Sequence, residues 1–350
     1  MPDFNNLTWI YEWVYQFVFQ LTLAITAPLT STSDIYWAYL LSALVLGVGV
    51  TYRRRTLASK EHTESFQSIG FWRSFQSKYL SKKLWGHPSA LLDMRYYVVN
   101  AIVFPLLFAP LALQSQTVDH FLKVWFEKII QITPANILTS GSFEDIATKL
   151  VYTLVFFVAY DGGRFIAHSL LHDVKWLWEF HKIHHSAQVL TPFTTFRVHP
   201  VDLMVMVSVP ALTTGIVTWL FHVTVSPEIG FYTLLNLHVF ICLFNFIDNI
   251  RHWNVWVTYP APLNKWFISP AHHQLHHSAD PKHWGCNRGF ELAIWDHLYK
   301  TAITPSVLEQ DVKFGLGDGD DLSWRTIGQL YINPFKNLLI RGFTSTKQSY

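Results

Sequence analysis

Histidines spaced three or four residues apart are concentrated in three short segments of this chain. The segments contain His168 and His172, then His181, His184 and His185, and finally His273, His276 and His277. Residues three or four apart share one face of a helix, so each segment can present two or three imidazoles to one point. Imidazole binds transition metals, and this set of ligands exceeds what one tetrahedral or octahedral ion holds. The spacing therefore predicts a site for two metal ions.

The ligand types restrict which metals are compatible with the site. Nitrogen ligands without a clear bridging carboxylate argue against magnesium and calcium, which prefer oxygen, and suit iron, zinc or copper. A structural zinc site closes with four ligands, and the HExxH motif of zinc proteases does not occur in the sequence. Cys242 and Cys286 give neither a disulfide framework nor a CxxC metal motif. Redox iron explains both the number of histidines and their position beside apolar runs.

Further residues are candidates for completing this site. The predicted additional ligands are His252 and His199, and the residues predicted to support the ligands are Asp161, Asp248 and His272. Asp161 lies one heptad before His168 on roughly the same helical face, where its carboxylate can accept the second N–H of a ligating imidazole. Alternatively, Asp161 only forms an ion pair with Arg164.

Composition indicates a membrane protein. Of 350 residues, 50% are apolar and 16% aromatic, and only 14% are charged, against about 25% in an average soluble domain. The formal net charge of +2 gives no reason to expect a nucleic-acid partner. The first thirty residues lack a basic segment and contain Asp3 and Glu12, so we expect no cleavable signal peptide.

Apolar runs of about 18 or more residues predict membrane-spanning helices. They lie at about 34–52, 95–115, 147–170, 203–224 and 229–247. The stretch 7–27 is also apolar, but polar residues every four positions leave it open between a helix at the membrane interface and a further span. The predicted fold class is all-α, a polytopic transmembrane helical bundle of about five or six spans with a cytosolic helical cap that holds the di-metal histidine site.

Charge predicts the orientation and the domain organisation. Arg53, Arg54 and Arg55 begin a basic segment, and positively charged loops stay cytoplasmic, so 53–94 is expected inside. Counting crossings from there places all three histidine segments at the cytoplasmic face of the membrane. The predicted domains are N-terminal membrane helices with a basic cytosolic loop at 1–140, a histidine-bearing catalytic domain at 141–302, and a polar cytosolic tail at 303–350.

These segments resemble the fatty acid hydroxylase and sterol desaturase superfamily of integral-membrane di-iron oxygenases. The resemblance covers about 150–302 and is carried by Asp161–His172, His181–Ser186, Arg197–Pro200, His252–Val255, Ser269–Ser278 and Asn287–Thr301. Three positions depart from the usual pattern. Ser169 stands where arginine is frequent, Gln274 where aspartate is frequent, and Asp202 where glutamate is usual.

The resemblance implies a cofactor, partners and a reaction. It implies two non-haem iron ions, O2 as co-substrate, and an external electron donor of the cytochrome b5, ferredoxin or reductase type. The substrate is expected to be a lipid from the bilayer (acyl chain, sterol or ether lipid) oxidised at an unactivated C–H bond, with hydroxylation, desaturation and ether cleavage all open. Zinc can replace iron on purification, because imidazole sites bind it readily.

A non-enzymatic membrane protein that binds or transports metal is the alternative function. Transporters place ionisable groups at mid-membrane, whereas these histidines flank the apolar runs.

Overall fold

Helices form nearly all of the regular structure. The computed structural model describes residues 8–60, 70–129, 143–248, 250–306 and 311–341. Within these ranges two short strands, β1 (Thr233–Leu234) and β2 (Leu237–His238), pair antiparallel. The helices are α1 (Thr8–Thr26), α2 (Trp37–Lys60), α3 (Phe71–Tyr79), α4 (Lys82–Trp85), α5 (Pro88–Val103), α6 (Ser115–Ile129), α7 (Phe143–Asp173), α8 (Lys175–His185), α9 (Pro200–Thr224), α10 (Val239–Asp248), α11 (Ala261–Asn264), α12 (Pro270–His276), α13 (Ile294–Tyr299) and α14 (Ile327–Arg341). The predicted all-α class is confirmed.

Within the described ranges, three helical segments are long and apolar enough to cross a membrane. They are Pro88–Phe126, Glu144–Asp173 and Pro200–Thr224. Each coincides with a predicted run, at 95–115, 147–170 and 203–224 respectively. Apolar side chains such as Leu150, Leu154 and Ile166 are exposed on the outer surface of α7, as expected where a helix faces lipid rather than water. The predicted run at 34–52 is helical within α2, but α2 is less apolar than these three.

The predicted span at 229–247 is not a span-length helix. The chain instead forms the β1–β2 hairpin and then α10, which has only 10 residues. Leu235 and Asn236 at the hairpin tip have φ of 53° and 63°, and positive φ at both central positions is typical of a two-residue hairpin turn, for which asparagine is well suited. The prediction fails because an apolar run by itself does not distinguish a hairpin followed by a short helix from one continuous helix.

Two glycines permit close packing among the span-length helices. A Cβ added to Gly163 of α7 would lie 2.7 Å from the Cα of Pro210 in α9, and a Cβ on Gly215 of α9 would lie 2.5 Å from the Cβ of Val118 in α6. Small residues at such crossings let helix backbones approach closely. α9 therefore packs directly against both α6 and α7, which positions the end of α7 that carries two of the histidines.

A buried ion pair connects the histidine-bearing helix α8 to α5. Arg197 Nη1 donates to Asp93 Oδ1 at 2.8 Å, and the two side chains are 1% and 0% exposed. The same guanidinium donates to the carbonyl oxygens of Ile183 in α8 and Trp324 near the C-terminal helix. A buried charge pair is tolerated when its remaining donors are satisfied. Here the acceptors come from different parts of the chain, α8 and the segment before α14, and the hydrogen bonds hold these parts together.

The segment 311–341 packs on the helical core. Trp324 and Leu330 are buried in one cluster with Tyr96 of α5 and Ile183 of α8. The segment predicted as a polar tail at 303–350 therefore also contains apolar residues that pack on the core. The boundary between 141–302 and 303–350 stays a prediction.

Candidate metal centre

Five histidines from three helices form the first of two groups, which we call the five-histidine cluster. It consists of His168, His172, His181, His185 and His276, and one ring nitrogen of each lies within 4.8 Å of those of the others. α7 and α8 each supply a pair of residues four apart, so each helix presents two imidazoles on one face. All five side chains are buried.

Four more buried histidines form the four-histidine cluster, by the same distance criterion. They are His184 of α8, His252 in the loop after α10, His273 of α12 and His277 at the C-cap of α12. The Nε2 atoms of His252 and His273 are 2.8 Å apart, and those of His273 and His277 are 3.1 Å apart. The loop after α10 and the final turn of α12 thus contribute histidines to the same cluster.

The two clusters adjoin because α8 and the α12 segment contribute to both. The ring centroid of His277 lies 4.6 Å from that of His185 and 4.5 Å from that of His184. Consecutive residues on a helix point about 100° apart. For this reason the two residues of each His-His pair lie in different clusters. His185 and His276 belong to the five-histidine cluster, and His184 and His277 belong to the four-histidine cluster. One HxxHH sequence is therefore able to serve two metal positions.

Hydrogen bonds at the outer ring nitrogens determine which nitrogen faces inward as a lone pair. Nδ1 of His168 donates to the Arg288 carbonyl oxygen at 2.7 Å, and Nδ1 of His181 donates to the Asp202 carboxylate at 2.7 Å. These oxygens only accept, so the hydrogen-bond network assigns the proton to Nδ1 and the lone pair to Nε2. The two Nε2 atoms are nevertheless only 3.1 Å apart. Lone pairs facing each other repel, and a cation bound between them relieves that repulsion.

Burial keeps the imidazoles uncharged. Removal from water lowers the pKa of His184, His185, His273 and His277 well below 6.5, and neighbouring imidazoles lower it further. The same loss of solvation lowers the pKa of His276 to about 3, although the hydrogen bond from its Nδ1 to a backbone carbonyl opposes the shift. Only a neutral imidazole coordinates a metal. At neutral pH these side chains are therefore in the form that binds.

The donor set fits a pair of transition-metal ions. Both clusters, as far as the structure describes the chain, consist of imidazoles without a carboxylate. Such nitrogen sites suit iron, zinc and copper and do not suit magnesium or calcium. The arrangement is therefore consistent with metal binding of the predicted type.

The structure brings together all of the predicted ligands except His199. Nδ1 of His199 accepts a hydrogen bond from the Val201 backbone N–H at 3.0 Å and so caps the N-terminus of α9. Nε2 of His199 lies 3.4 Å from the Tyr331 carbonyl oxygen. The reason is local, because Pro200 at the first helical position leaves the preceding residue as the cap. The structure thus places His199 at a helix cap outside both clusters, and its role as a ligand stays a prediction.

Asp161 serves the site indirectly. Its carboxylate accepts hydrogen bonds from the backbone N–H groups of Glu291 at 2.9 Å and Leu292 at 3.1 Å, and from Trp295 Nε1 at 2.8 Å. In the described part of the chain it has no hydrogen bond to an imidazole, and Arg164 pairs with Glu291 instead, at 3.3 Å. Asp161 thus fastens the loop after the third histidine segment onto α7, which differs from both predicted roles.

His272 also lies outside the clusters. Nδ1 of His272 accepts from the Ser269 backbone N–H at 3.1 Å within a capping box at the start of α12, so His272 stabilises the helix that carries its neighbour His273. Asp248 is the last residue of α10, and its side chain lies outside what the structure describes.

Among the described residues, the side chains that support the ligands are Asp202 and Thr195. Asp202 accepts from His181, and Thr195 Oγ1 lies 2.9 Å from Nδ1 of His252. The sequence holds a signal for Asp202, since it is an acidic residue in the first turn of an otherwise apolar helix, where an ionisable group is costly and usually functional. Thr195 has no such signal.

A cavity of about 510 Å³ reaches both clusters. His168 and His181 line it from the five-histidine cluster, and His184, His252 and His273 from the four-histidine cluster. Its apolar wall comes from the chain after α5 and from α9, with Phe104, Pro105, Leu203, Met206 and Val207. An apolar cavity with a few polar groups is the usual form of a small-molecule site.

Fold and site together define a helical membrane protein with two adjoining histidine clusters suited to metal ions. Residues 153–301 match the sequence profile described as fatty acid hydroxylase. The match covers less than half of the chain, and with the relatives named below it confirms the resemblance of this segment to the fatty acid hydroxylase and sterol desaturase superfamily.

Similar curated proteins are named as lipid hydroxylases and monooxygenases. Ornithine lipid hydroxylase OlsE of Rhizobium tropici is 31% identical over 147 residues, which is 41% of this chain and 39% of that protein. Cholesterol 25-hydroxylase of Homo sapiens is 27% identical over 45% of this chain and 53% of its own length. Alkylglycerol monooxygenase of Danio rerio is 24% identical over 41% of this chain and 29% of its own length. The chain thus spans about a third to a half of these relatives. Hydroxylases and monooxygenases are oxidoreductases, so the names favour an enzyme over a metal transporter.

No solved structure matches the chain.

Proposed function

We propose that this protein is a membrane di-iron oxygenase that uses O2 and two electrons to hydroxylate or desaturate a lipid at an unactivated C–H bond. The observation that carries the proposal is the opening of both histidine clusters onto one cavity with an apolar wall. Metal ligands and a hydrophobic substrate would then share one space. The relatives' names refer to an ornithine lipid, an alkylglycerol and cholesterol, and their common chemical class is lipid.

The histidines hold the metals in this proposal. The five-histidine cluster would hold one ion and the four-histidine cluster the other. A bound iron pair would supply the activation of O2 for C–H oxidation, with electrons from an external donor of the cytochrome b5, ferredoxin or reductase type. Asp202 accepts a hydrogen bond from the Nδ1–H of His181 and so keeps the Nε2 lone pair directed inward. The backbone carbonyl of Arg288 does the same for His168.

The cavity walls orient the substrate and exclude water. Phe104, Leu203 and Met206 offer apolar contacts to a hydrocarbon segment, which removes that segment from water and favours its binding. Imidazoles of both clusters line the same cavity. A C–H bond of the bound segment would therefore lie against the metal ligands, and positioning of this kind is the protein's main contribution to the reaction.

The site is proposed to lie at the cytoplasmic face of a multi-pass protein, beneath a cytosolic cap. The support is the basic stretch Arg53–Arg55 in α2 together with the first two span-length segments, which return the end of α7 that carries His168 and His172 to the same side. A single reporter cysteine tests this orientation. Ser77→Cys, on an exposed position of α3, is expected to react with a membrane-impermeant maleimide only after the cytoplasmic side is opened. Labelling from the outside of intact cells would reverse the orientation.

The reaction is tested by comparing lipids of cells with and without the protein. We expect a lipid whose mass rises by one oxygen or falls by two hydrogens, and this shift should vanish with His184→Ala and with His276→Ala. His297→Ala is the matched control because His297 is exposed and outside both clusters. Unchanged turnover in both cluster variants, with normal membrane insertion, would refute the assignment.

A further inference from the structure

The cavity beside the metal centre also has a charged side, which the proposed chemistry does not use. Asp34, Arg164 and Arg251 line it, and we call these three residues the charged wall. A hydrocarbon chain gains nothing from charged neighbours, and each charge that faces it loses hydration. The charged wall therefore indicates that part of the substrate is polar.

Arg164 is the member of the wall with capacity to bind a ligand. Its Nη1 donates to Glu291 Oε1 at 3.3 Å, and its side chain is 23% exposed, compared with 5% for Arg251, which also pairs with Glu291. The Arg164 guanidinium stacks 3.7 Å above the Phe290 ring, which fixes its plane. A guanidinium has five N–H donors and is suited to bind a carboxylate with two parallel hydrogen bonds.

Arg164 is also close to the metal ligands. It lies four residues before His168 in α7, a spacing that places two side chains about 5–6 Å apart on one helix face. The imidazole of His168 packs against the same phenyl ring, with centroids 5.4 Å apart. A group bound by Arg164 is therefore held next to the metal centre, and the carbon exposed to oxidation must be near that group.

Asp34 contributes the opposite charge to the wall. Asp34 is exposed as a residue, but burial around its carboxyl raises the pKa of that group, while the positive charges of Arg164 and Arg251 lower it. Asp202 also lines the cavity, but its carboxylate accepts a hydrogen bond from His181. Among the other charged groups, with Glu291 included, two guanidinium groups stand beside two carboxyl groups, so their formal charges cancel. A purely anionic substrate group would meet Asp34 unfavourably, and a purely cationic one would meet the arginines unfavourably.

Resting on the oxygenase function proposed above, we infer that the charged wall binds the zwitterionic head group of an amino-acid-bearing lipid. The carboxylate of the head group would pair with Arg164 and its ammonium with Asp34, while the acyl chain lies along the apolar wall. Oxidation would then occur at a carbon near the head group rather than far along the chain.

Four probes that share one C16 chain test this inference. N-palmitoyl-lysine carries a carboxylate and an ammonium, palmitic acid only a carboxylate, hexadecylamine only an ammonium, and hexadecanol no charge. Binding is measured by competition on detergent-solubilised protein without metal, and oxidation is measured on the iron-loaded protein with reductant by mass spectrometry. We expect N-palmitoyl-lysine to bind about tenfold or more tightly than the others, which is the size of one charge-assisted hydrogen bond.

The variants separate the two charges. Arg164→Leu is expected to abolish the preference for N-palmitoyl-lysine over hexadecylamine, and Asp34→Asn to abolish its preference over palmitic acid. Arg73→Leu, at an exposed position of α3, should leave all four affinities unchanged. Metal content is measured in each variant, so that loss of the metal centre is not mistaken for loss of head-group binding.

Failure of this inference is distinguishable from failure of the oxygenase function. Equal binding of the four probes by a protein that still oxidises lipid overturns only the head-group assignment, as does oxygen inserted near the chain terminus. Preferential binding of N-palmitoyl-lysine without any oxidation supports the charged wall and contradicts the oxygenase.

Discussion

Asp202, in the first turn of α9, accepts a hydrogen bond from Nδ1 of His181 at 2.7 Å, and both side chains are buried. A carboxylate behind an imidazole fixes the ring orientation and increases the basicity of the nitrogen that faces a metal. His168 and His276 have neutral backbone carbonyls in the same position. Among the partners that the structure describes for the clusters, Asp202 is thus the one that adds negative charge.

Asp202→Asn should weaken metal binding without removing a ligand. The amide keeps the size of the carboxylate but loses its charge, and loss of such a partner typically costs about 10- to 100-fold in metal affinity. Chelator competition on the purified protein measures this change. Glu228→Gln is the control, because Glu228 is exposed and lies away from the clusters. Equal affinity in the two variants would show that Asp202 does not act on the metal.

The division into two clusters predicts a stoichiometry. His276→Ala removes a ligand from the five-histidine cluster and His273→Ala one from the four-histidine cluster, so each variant should lose mainly one of two metal ions. Elemental analysis per protein chain tests this. His297→Ala should retain both ions. Parallel loss of both ions in either single variant would indicate that the nine imidazoles form one cooperative site.

The sequence predicts the histidine segments because ligand spacing follows from helix geometry alone. It does not predict how the ligands are supported, because the partner of a polar side chain is chosen by tertiary packing. Asp161 illustrates this limit, since it shares a helix face with His168 but binds the backbone of residues 291 and 292. His199 illustrates another, since the following proline assigns it to a helix cap.

The prediction of membrane spans from the sequence is limited in a similar way. The runs that form α7 and α9 are mainly apolar, although α7 also carries Asp161 and Arg164, and they are helical over their whole length. The run at 229–247 is equally apolar, but the turn at Leu235 and Asn236 interrupts it. Backbone conformation at two residues, rather than hydrophobicity, decides between a span and a hairpin there.

Arg197→Met should destabilise the protein strongly. The substitution leaves the Asp93 carboxylate buried without its counter-charge, and breaking a buried pair in this way costs about 3–5 kcal/mol. The apparent unfolding midpoint in detergent should fall well below that of the wild type. Arg73→Met is the control because Arg73 is exposed on α3. A midpoint equal to the control's would mean that the Arg197–Asp93 pair contributes little to stability.

Gly163→Ala should disturb the crossing of α7 and α9. The added methyl group would lie 2.7 Å from the backbone of Pro210, so the helices must separate, at a cost of about 1–3 kcal/mol. Because His168 and His172 are on the same helix, metal retention should fall together with stability. Gly49→Ala in α2 adds the same methyl group where no atom lies within 4 Å, and it should be harmless. A Gly163→Ala protein as stable as Gly49→Ala would show that the close approach is not required.

Acidification should destabilise the metal-free protein. In the folded chain, burial lowers the pKa of His184, His185, His273 and His277 well below 6.5, and that of His276 to about 3. In the unfolded chain these imidazoles take up protons near pH 6.5. The unfolded state therefore binds more protons at any pH between the two values, so stability is complete above pH 6.5 and declines as the pH falls. Each histidine that protonates only on unfolding contributes about 1.4 kcal/mol per pH unit to this slope.

Unfolding midpoints of the metal-free protein at pH 7.5, 6.5 and 5.5 measure the effect. Little change is expected between the first two values and a marked fall at the third. A variant with His184, His273 and His277 replaced by glutamine should show a shallower decline, because three of the groups that take up protons on unfolding are gone. The exposed-site variant His297→Ala should keep the wild-type slope. A midpoint that is constant or rises on acidification would contradict the uncharged, desolvated state of the clusters, and with it the readiness of these imidazoles to bind metal at neutral pH.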